Sequence, residues 1–325
     1  AEGDAYSRRL LEETERNLRR LRFITEPTVR PVSYHGGVVD VEVHARDVWT
    51  FNPGVSVGRA GGENSGGFGV EDLNLLGTGK QLSFGLSTDV DRSSVLVGWH
   101  DPNVFGSRWT DTVELVDSDD GYRRALAVER PFFSLSTRWS AGLSMESDKH
   151  EQDRYALGKV QDTYGVEQRI ADVHYGWSPG SREGWTRRVS AGFRYDESTF
   201  SALADTGPTG VPADRKLAYP YARLELIEDG YTVTRNQDQI GRTEDVNFGR
   251  HLELQVGLAA SAFGADRTAG ILGASASRGW RLSEDKSAFA DLGLGTRLES
   301  GGLADSTLSG SARYYWRTSP ASMLY

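Results

Sequence analysis

From Phe51 onward, apolar residues alternate strictly with glycine, serine and scattered charged residues, in segments of about ten residues. Alternation of this kind marks strands with two unlike faces, because successive side chains leave a sheet on opposite sides. Val55 and Val57 alternate with Gly54, Ser56 and Gly58; Leu82, Phe84 and Leu86 with Ser83, Gly85 and Ser87; Val95, Val97 and Trp99 with Leu96, Gly98 and His100. Downstream, Trp139, Ala141, Leu143 and Met145 oppose Ser140, Gly142 and Ser144, while Ala171, Val173, Tyr175 and Trp177 oppose Asp172, His174 and Gly176. Similar sets occupy 189–195, 252–258, 272–276, 288–294 and 308–316. About fourteen such strands are visible, each near the roughly 9–11 residues that cross a bilayer at a tilt.

A soluble β-sandwich also alternates, but it sets large apolar residues against each other and charged residues in water. Here the second face is rich in glycine and serine with scattered Arg, Asp and His, which suits a polar lumen. Aromatic residues gather toward strand ends, at Trp99, Trp177, Tyr195, Trp280, Tyr314 and Trp316, where a membrane barrel carries its interface girdles. The expected fold is therefore all-β, an antiparallel transmembrane barrel. Compact turns at Leu76-Gly77-Thr78-Gly79 and Asp101-Pro102-Asn103 are expected on one side, and long polar loops at 148–163 and 201–215 on the other.

Composition narrows the function. With 37 Lys+Arg against 46 Asp+Glu, the net charge is −9 and both signs are spread along the chain, so no nucleic-acid partner is expected. No apolar run approaches the roughly 18 residues of a membrane-spanning helix. Cysteine is absent, which excludes disulfides, thiolate metal sites and thiol nucleophiles. Residues 1–4 carry no signal segment, so any targeting sequence is expected outside this chain.

Before the strands, residues 7–21 have helical spacing, with Leu10, Leu11, Thr14, Leu18 and Leu21 on one side and Arg8, Glu12, Glu15, Arg16 and Arg19 on the other, a face expected to be solvated. Pro27 and Pro31, the Gly36-Gly37 pair and alternating Val39, Val41 and Val43 then predict a hairpin with an edge strand. Such a unit, with one helix for its sheet, reads as the tail of a domain cut at its start.

The run from Val39 to Asp47, then Trp49 to Gly58, then Gly67 to Lys80, resembles the junction between the last periplasmic POTRA domain and the first barrel strand in the BamA/TamA superfamily of outer-membrane assembly and translocation barrels. Asp72, Asn74, Leu76, Gly77 and Gly79 resemble that family's D-x-N-x-x-G-x-G turn, and Asp101-Pro102-Asn103 its (D/N)-P turn. The resemblance is clear over residues 7–108 and architectural beyond. It implies residues 1–48 as the C-terminal part of a periplasmic POTRA domain and 49–325 as an outer-membrane barrel, with about fourteen of sixteen strands present and the C-terminal end cut. It implies a location in the outer membrane of a Gram-negative bacterium. It also implies a weak seam at the first strand, Phe51, Asn52, Pro53, Gly54, Val55, Ser56, Val57 and Gly58, where client strands pair. Pro53 removes one ladder donor, and Gly54 and Gly58 carry no side chain to lock pairing. The same residues could equally serve only to turn the chain into the wall. The family's Arg-Gly-Phe/Tyr loop has no clear counterpart, since Arg278-Gly279-Trp280 ends a strand.

Catalytic and metal chemistry finds little support. His35, His44, His100, His150, His174 and His251 show no nucleophile-elbow or paired-histidine spacing. His174 with Asp172 could form an acid/base pair with a serine of a neighbouring strand, though a lumen hydrogen bond accounts for it. Asp89 with Asp91, and Asp117 with Asp119 and Asp120, could gather Ca2+, but they lack full ligand spacing. Tyr219, Tyr221 and Arg223 could line a ligand track or simply the wall. The chain is expected to be no enzyme and to need no cofactor. Its expected partners are unfolded outer-membrane or secreted polypeptides, the lipid bilayer, and accessory proteins of the periplasm or outer membrane. The expected role is assembly or insertion of clients; the alternatives are a dedicated two-partner secretion pore and a lipid-acting barrel enzyme.

Overall fold

The N-terminal helix α1, Arg8–Arg20, ends on Arg19 and Arg20, which favour the negative pole of the helix dipole. The computed structural model describes residue 3 and residues 5–325 apart from 61, 205, 208–209, 239–240 and 320–321; Ala1, Glu2 and Asp4, and part of the expected 201–215 loop, lie outside the described residues. After α1 come β1 (Ile24–His35) and β2 (Val38–Asp47), joined by Gly36 and Gly37 at φ +59° and +81°. Register shifts fall between Thr25 and Thr28 and between Pro31 and Ser33, beside the two prolines that cannot donate to the ladder.

The rest of the chain is dominated by one antiparallel sheet. Its strands are β3 (Phe51–Ala60), β4 (Glu63–Asp72), β5 (Gln81–Thr88), β6 (Ser93–Asp101), β7 (Thr110–Ser118), β8 (Gly121–Arg130), β9 (Trp139–Ala156), β10 (Lys159–Trp177), β11 (Ser181–Arg182), β12 (Trp185–Ala202), β13 (Arg215–Glu228), β16 (Arg250–Ala259), β17 (Ala269–Arg281), β18 (Lys286–Glu299), β19 (Gly302–Ser319) and β20 (Ser322–Leu324). Each main strand pairs with its predecessor, from β3 at one edge to the short β20 at the other. Between β13 and β16 a separate hairpin is inserted, β14 (Tyr231–Arg235) with β15 (Thr243–Asn247). Strands from distant parts of the order converge on one interior: residues of α1, β12, β13, β16, β18 and β19 line a single chamber of about 400 Å³ at the helix end of the sheet.

The outer face is an apolar band carried from strand to strand by register. Val55 faces Phe68, Phe68 faces Leu86, and Leu86 faces Val95. Further round, Leu143, Val173 and Phe193 stand in one row, as do Leu224, Leu254 and Ala274. At the helix end the band closes on Trp99, Trp139, Trp177, Trp280 and Trp316, several under cations: Arg130 lies 3.7 Å from the Trp139 ring centre and Lys286 5.0 Å from that of Trp316. At the opposite end Tyr195 marks the limit, and beyond it Arg169 stands opposite Glu197.

The inner face pairs bulk with glycine. Glu129, Gly142, His174, Gly192, Tyr221 and Gly257 stand opposite one another on successive strands. A Cβ on Gly192 would lie 2.5 Å from the Tyr221 ring, and one on Gly142 2.6 Å from His174, so these glycines are seats for neighbouring rings.

Two sequence expectations are corrected. The stretch 148–163 is no loop: β9 and β10 stay paired from Trp139 opposite Trp177 to Ala156 opposite Lys159, and only Leu157-Gly158 turns. Its polarity arises because this hairpin extends past the apolar band, where both faces are wet. The expected asymmetry of connections holds only in part: the connection 203–214 lies opposite the compact turns as expected, but the longest connection, 229–249, lies at the helix end with those turns.

Candidate functional site: a strand edge beside a filled mouth

β3 pairs with β4 over its full length, from Phe51 opposite Asp72 to Ala60 opposite Glu63. Among the described residues no strand pairs with its other side. Its ladder is poor in side-chain contact: Gly54 faces Gly69, Ser56 faces Gly67, Val57 faces Gly66 and Gly58 faces Ser65. Cross-strand side-chain pairs contribute roughly 0.2–1 kcal/mol each, and four of the ten pairs here include a glycine, so the middle of this strand is held largely by backbone hydrogen bonds. Pro53, opposite Val70, lies between the hydrogen-bonded pairs, so the donor it lacks is one on the open side. Asn52, Gly54, Ser56 and Gly58 face inward, and Val55 and Val57, 78% and 88% exposed, face outward with Phe51.

The turn after β4 assigns a place to every residue of the D-x-N-x-x-G-x-G motif. The Asn74 amide donates to Asp72 Oδ1 at 3.0 Å, and the Gly79 amide donates to Asn74 Oδ1 at 2.6 Å. Leu76, Gly77 and Gly79 have φ of 52°, 74° and 76°, the left-handed region. The turn after β6 repeats it: Asn103 donates to Asp101 Oδ1 at 2.9 Å, and Phe105 and Gly106 have φ of 51° and 71°. Lys80 bridges the two turns to Asp101 at 3.3 Å. Leu73, buried inside the first turn, packs with Phe23 and Ile24, against which Leu18 and Leu21 also lie, and its amide donates to Thr50 O at 3.0 Å. The motif thus fastens the N-terminal unit to the root of the edge strand.

The mouth of the sheet's interior is filled by α1 and the β14–β15 hairpin. Arg19 bonds Asp245 through two nitrogens, at 2.7 and 2.9 Å, and also pairs with Glu15. The Arg16 guanidinium lies 4.2 Å from the Tyr231 ring centre. Arg242 donates to the carbonyls of Arg22, Leu21 and Ile24 at 2.5, 3.0 and 2.8 Å, capping the chain where the helix ends. On the other flank Ser136 donates to the buried Glu13 carboxylate at 2.5 Å. The charged helix face expected in water is therefore largely engaged with the sheet's turns.

Two solved structures are similar in fold. One is the crystal structure of BamA from Haemophilus ducreyi lacking POTRA domains 1–3, at TM-score 0.40 and 15% identity, covering 93% of this chain and 52% of that one. The other is CdiB from Acinetobacter baumannii, at TM-score 0.48 and 12% identity, covering 94% and 53%. The chain spans about half the length of each. No protein-family model and no curated protein matches it.

The remaining candidates resolve differently from their sequence reading. His174 Nδ1 lies 3.5 Å from Asp172, but the third partner is Tyr221, whose hydroxyl donates to Asp172 at 2.9 Å; no serine completes a triad among the described residues. Tyr219 and Tyr221 are buried wall residues, and Arg223 donates to Gln255 at 2.7 Å. The aspartates form no metal cluster among the described residues. Asp89 accepts the amides of Asp91 and Arg92 to close a turn, Asp119 accepts that of Ser93, Asp117 pairs with Arg124, and Asp120 pairs with Arg92 at 3.3 Å. Gly279 of Arg278-Gly279-Trp280 lies within β17 and seats Phe248 and Phe289. Sequence reading missed the hairpin that holds α1. The alternating Tyr231-Thr-Val-Thr-Arg235 and its Thr243–Asn247 counterpart were the available signal, weak because neither carries an apolar stripe.

Proposed function

We propose that this chain belongs to an outer-membrane barrel of the BamA/TamA type, in a Gram-negative bacterium. Residues 1–48 form the end of a periplasmic POTRA domain, and residues 49–325 form barrel wall. Its role is to assemble or insert client polypeptides by pairing their strands with the free edge of β3. The observation that carries this reading is the one-sided pairing of β3, whose glycine-rich ladder leaves backbone groups open to an incoming strand. The outer band supports the membrane setting. Outward positions from Ala288 to Leu298 rise about 34 Å along β18 at ~3.4 Å per residue. At a tilt of about 40° this becomes about 26 Å, near the ~25 Å band of outer-membrane barrels. No covalent catalysis and no cofactor enter this role.

A secretion pore would pass its partner through the lumen instead. The filled mouth favours the edge as the client's route, since a lumen path requires α1 to leave. The test is to fold the chain into phospholipid vesicles and measure the folding rate of a denatured outer-membrane barrel added to them. Acceleration is expected, and Val55→Pro with Val57→Pro should remove it by deleting edge donors, since the backbone of Ser56 and Gly58 faces β4. Unchanged acceleration in that variant would overturn edge pairing. Loss on Arg194→Glu, an inward substitution, would favour the pore.

A further inference from the structure

Leu76 and Phe105 stand at the tips of the two repeated turns at the helix end, 90% and 103% exposed. Each occupies the first central position of a left-handed pair with a glycine behind it, the place where asparagine is the usual residue. Nothing in the turns themselves requires an apolar side chain there, because the hydrogen bonds that close them come from Asp72, Asn74 and Asp101 and from the backbone. Both tips lie just beyond the tryptophan belt. Trp99 stands on the strand leading into the second turn, with the Lys80 ammonium 5.6 Å from its ring centre, and Lys80 ties the two turns together through Asp101. An ammonium, an amphipathic ring and bare apolar tips gathered at one end of the apolar band match the interfacial headgroup layer of a bilayer.

We infer that Leu76 and Phe105 are lipid anchors that dip the two turns at the root of the edge strand into the adjacent leaflet. The inference rests on the membrane-barrel reading above. It would fix the height of this side of the wall in the membrane, close to where β3 is open.

The absence of cysteine allows single labels. Leu76→Cys, Phe105→Cys, Leu254→Cys and Leu157→Cys would each carry a nitroxide on the full chain, folded into phosphatidylcholine vesicles, with depth read from accessibility to oxygen and to a nickel chelate. Leu254 lies in the apolar band, and Leu157, 102% exposed at φ 52°, sits in a similar turn tip at the opposite end. The expected result is that labels at 76 and 105 report the headgroup region, between Leu254 in the acyl core and Leu157 in water. Labels at 76 and 105 indistinguishable from Leu157, with Leu254 in the core, would overturn the anchor and leave the barrel intact; Leu254 in water would overturn the barrel reading itself. A second variant pair guards against perturbation by the label. Leu76→Asn with Phe105→Asn keeps the turn conformation and should slow folding into the vesicles severalfold; an unchanged rate would contradict the anchor.

Discussion

Arg19 of α1 and Asp245 of β15, more than two hundred residues apart in sequence, form a two-bond ion pair with side chains 8% and 9% exposed. Burial pulls the Arg19 guanidinium down, but hydrogen bonds and charge from Asp245 and then Glu15 outweigh it and hold it above its ordinary value. The guanidinium is therefore charged at every working pH. With Arg242 capping the end of α1, it makes the β14–β15 hairpin a clasp on the N-terminal unit. Asp245→Asn should loosen that docking by about 3 kcal/mol, the lower part of the range for a broken buried pair because Glu15 remains. Hydrogen exchange should then quicken across α1 while the wall strands keep their protection; unchanged exchange in α1 would contradict the clasp.

Leu73 is 3% exposed and joins the turn motif to Phe23 and Ile24. Leu73→Ala should cost about 2–4 kcal/mol locally through lost burial and the cavity left behind. Protease should cleave between α1 and β3 sooner, with the thermal transition of the barrel in detergent little changed. Leu73→Met should restore resistance.

Leu254 faces outward and its neighbour Gln255 inward, where Arg223 already bonds it. A cation at the first position meets hydrocarbon, and at the second a polar lumen. Leu254→Arg should destabilise the bilayer-folded protein by about 2–4 kcal/mol, and Gln255→Arg by less, since it gives up the Arg223 hydrogen bonds but keeps its charge beside polar groups. Reversible urea titration in vesicles measures both; equal costs would place both faces in the same solvent.

The 260–268 loop is tied down by Asp266, which accepts the Lys216 amide at 2.9 Å while its own amide donates to Lys216 O at 2.9 Å. The hydrogen bond from Arg267 holds the Asp266 carboxyl below the usual carboxylate range, against burial and helped by the Lys216 amide. A depressed carboxylate stabilises the fold fully above its unfolded pKa and loses that contribution as pH falls through its folded value. Exchange in this loop should therefore rise only well below about pH 4. Asp266→Asn should make it fast at all pH values.

The outer face was legible in the sequence because two unlike sheet faces impose a strict period of two: Leu252, Leu254, Val256 and Leu258 could face no other way. The Leu76-Gly77-Thr78-Gly79 turn was legible through glycine, whose backbone freedom is local, whereas an open first strand was suggested only by the family resemblance. The β9–β10 extension was not, because beyond the band both faces are polar and alternation no longer separates strand from loop. Nor was the clasp, since Arg19, Asp245 and Arg242 are joined only by tertiary folding. The charges on α1 read as a solvated face for the same reason: sequence gives their spacing on the helix but not the distant hairpin that meets them. Tyr221 as the partner of Asp172 was likewise invisible, because strand register sets which residues meet across the inner face.

The central claim is that the open edge of β3 receives a client strand. A photoreactive residue placed at Ser56 in the full chain, in native outer membranes with a client held partway through assembly, tests it most directly. The account predicts an adduct to a terminal strand of the client that shifts in step as the reporter moves to Gly58. Adducts confined to this chain's own strands or to lipid, at both positions, would contradict it.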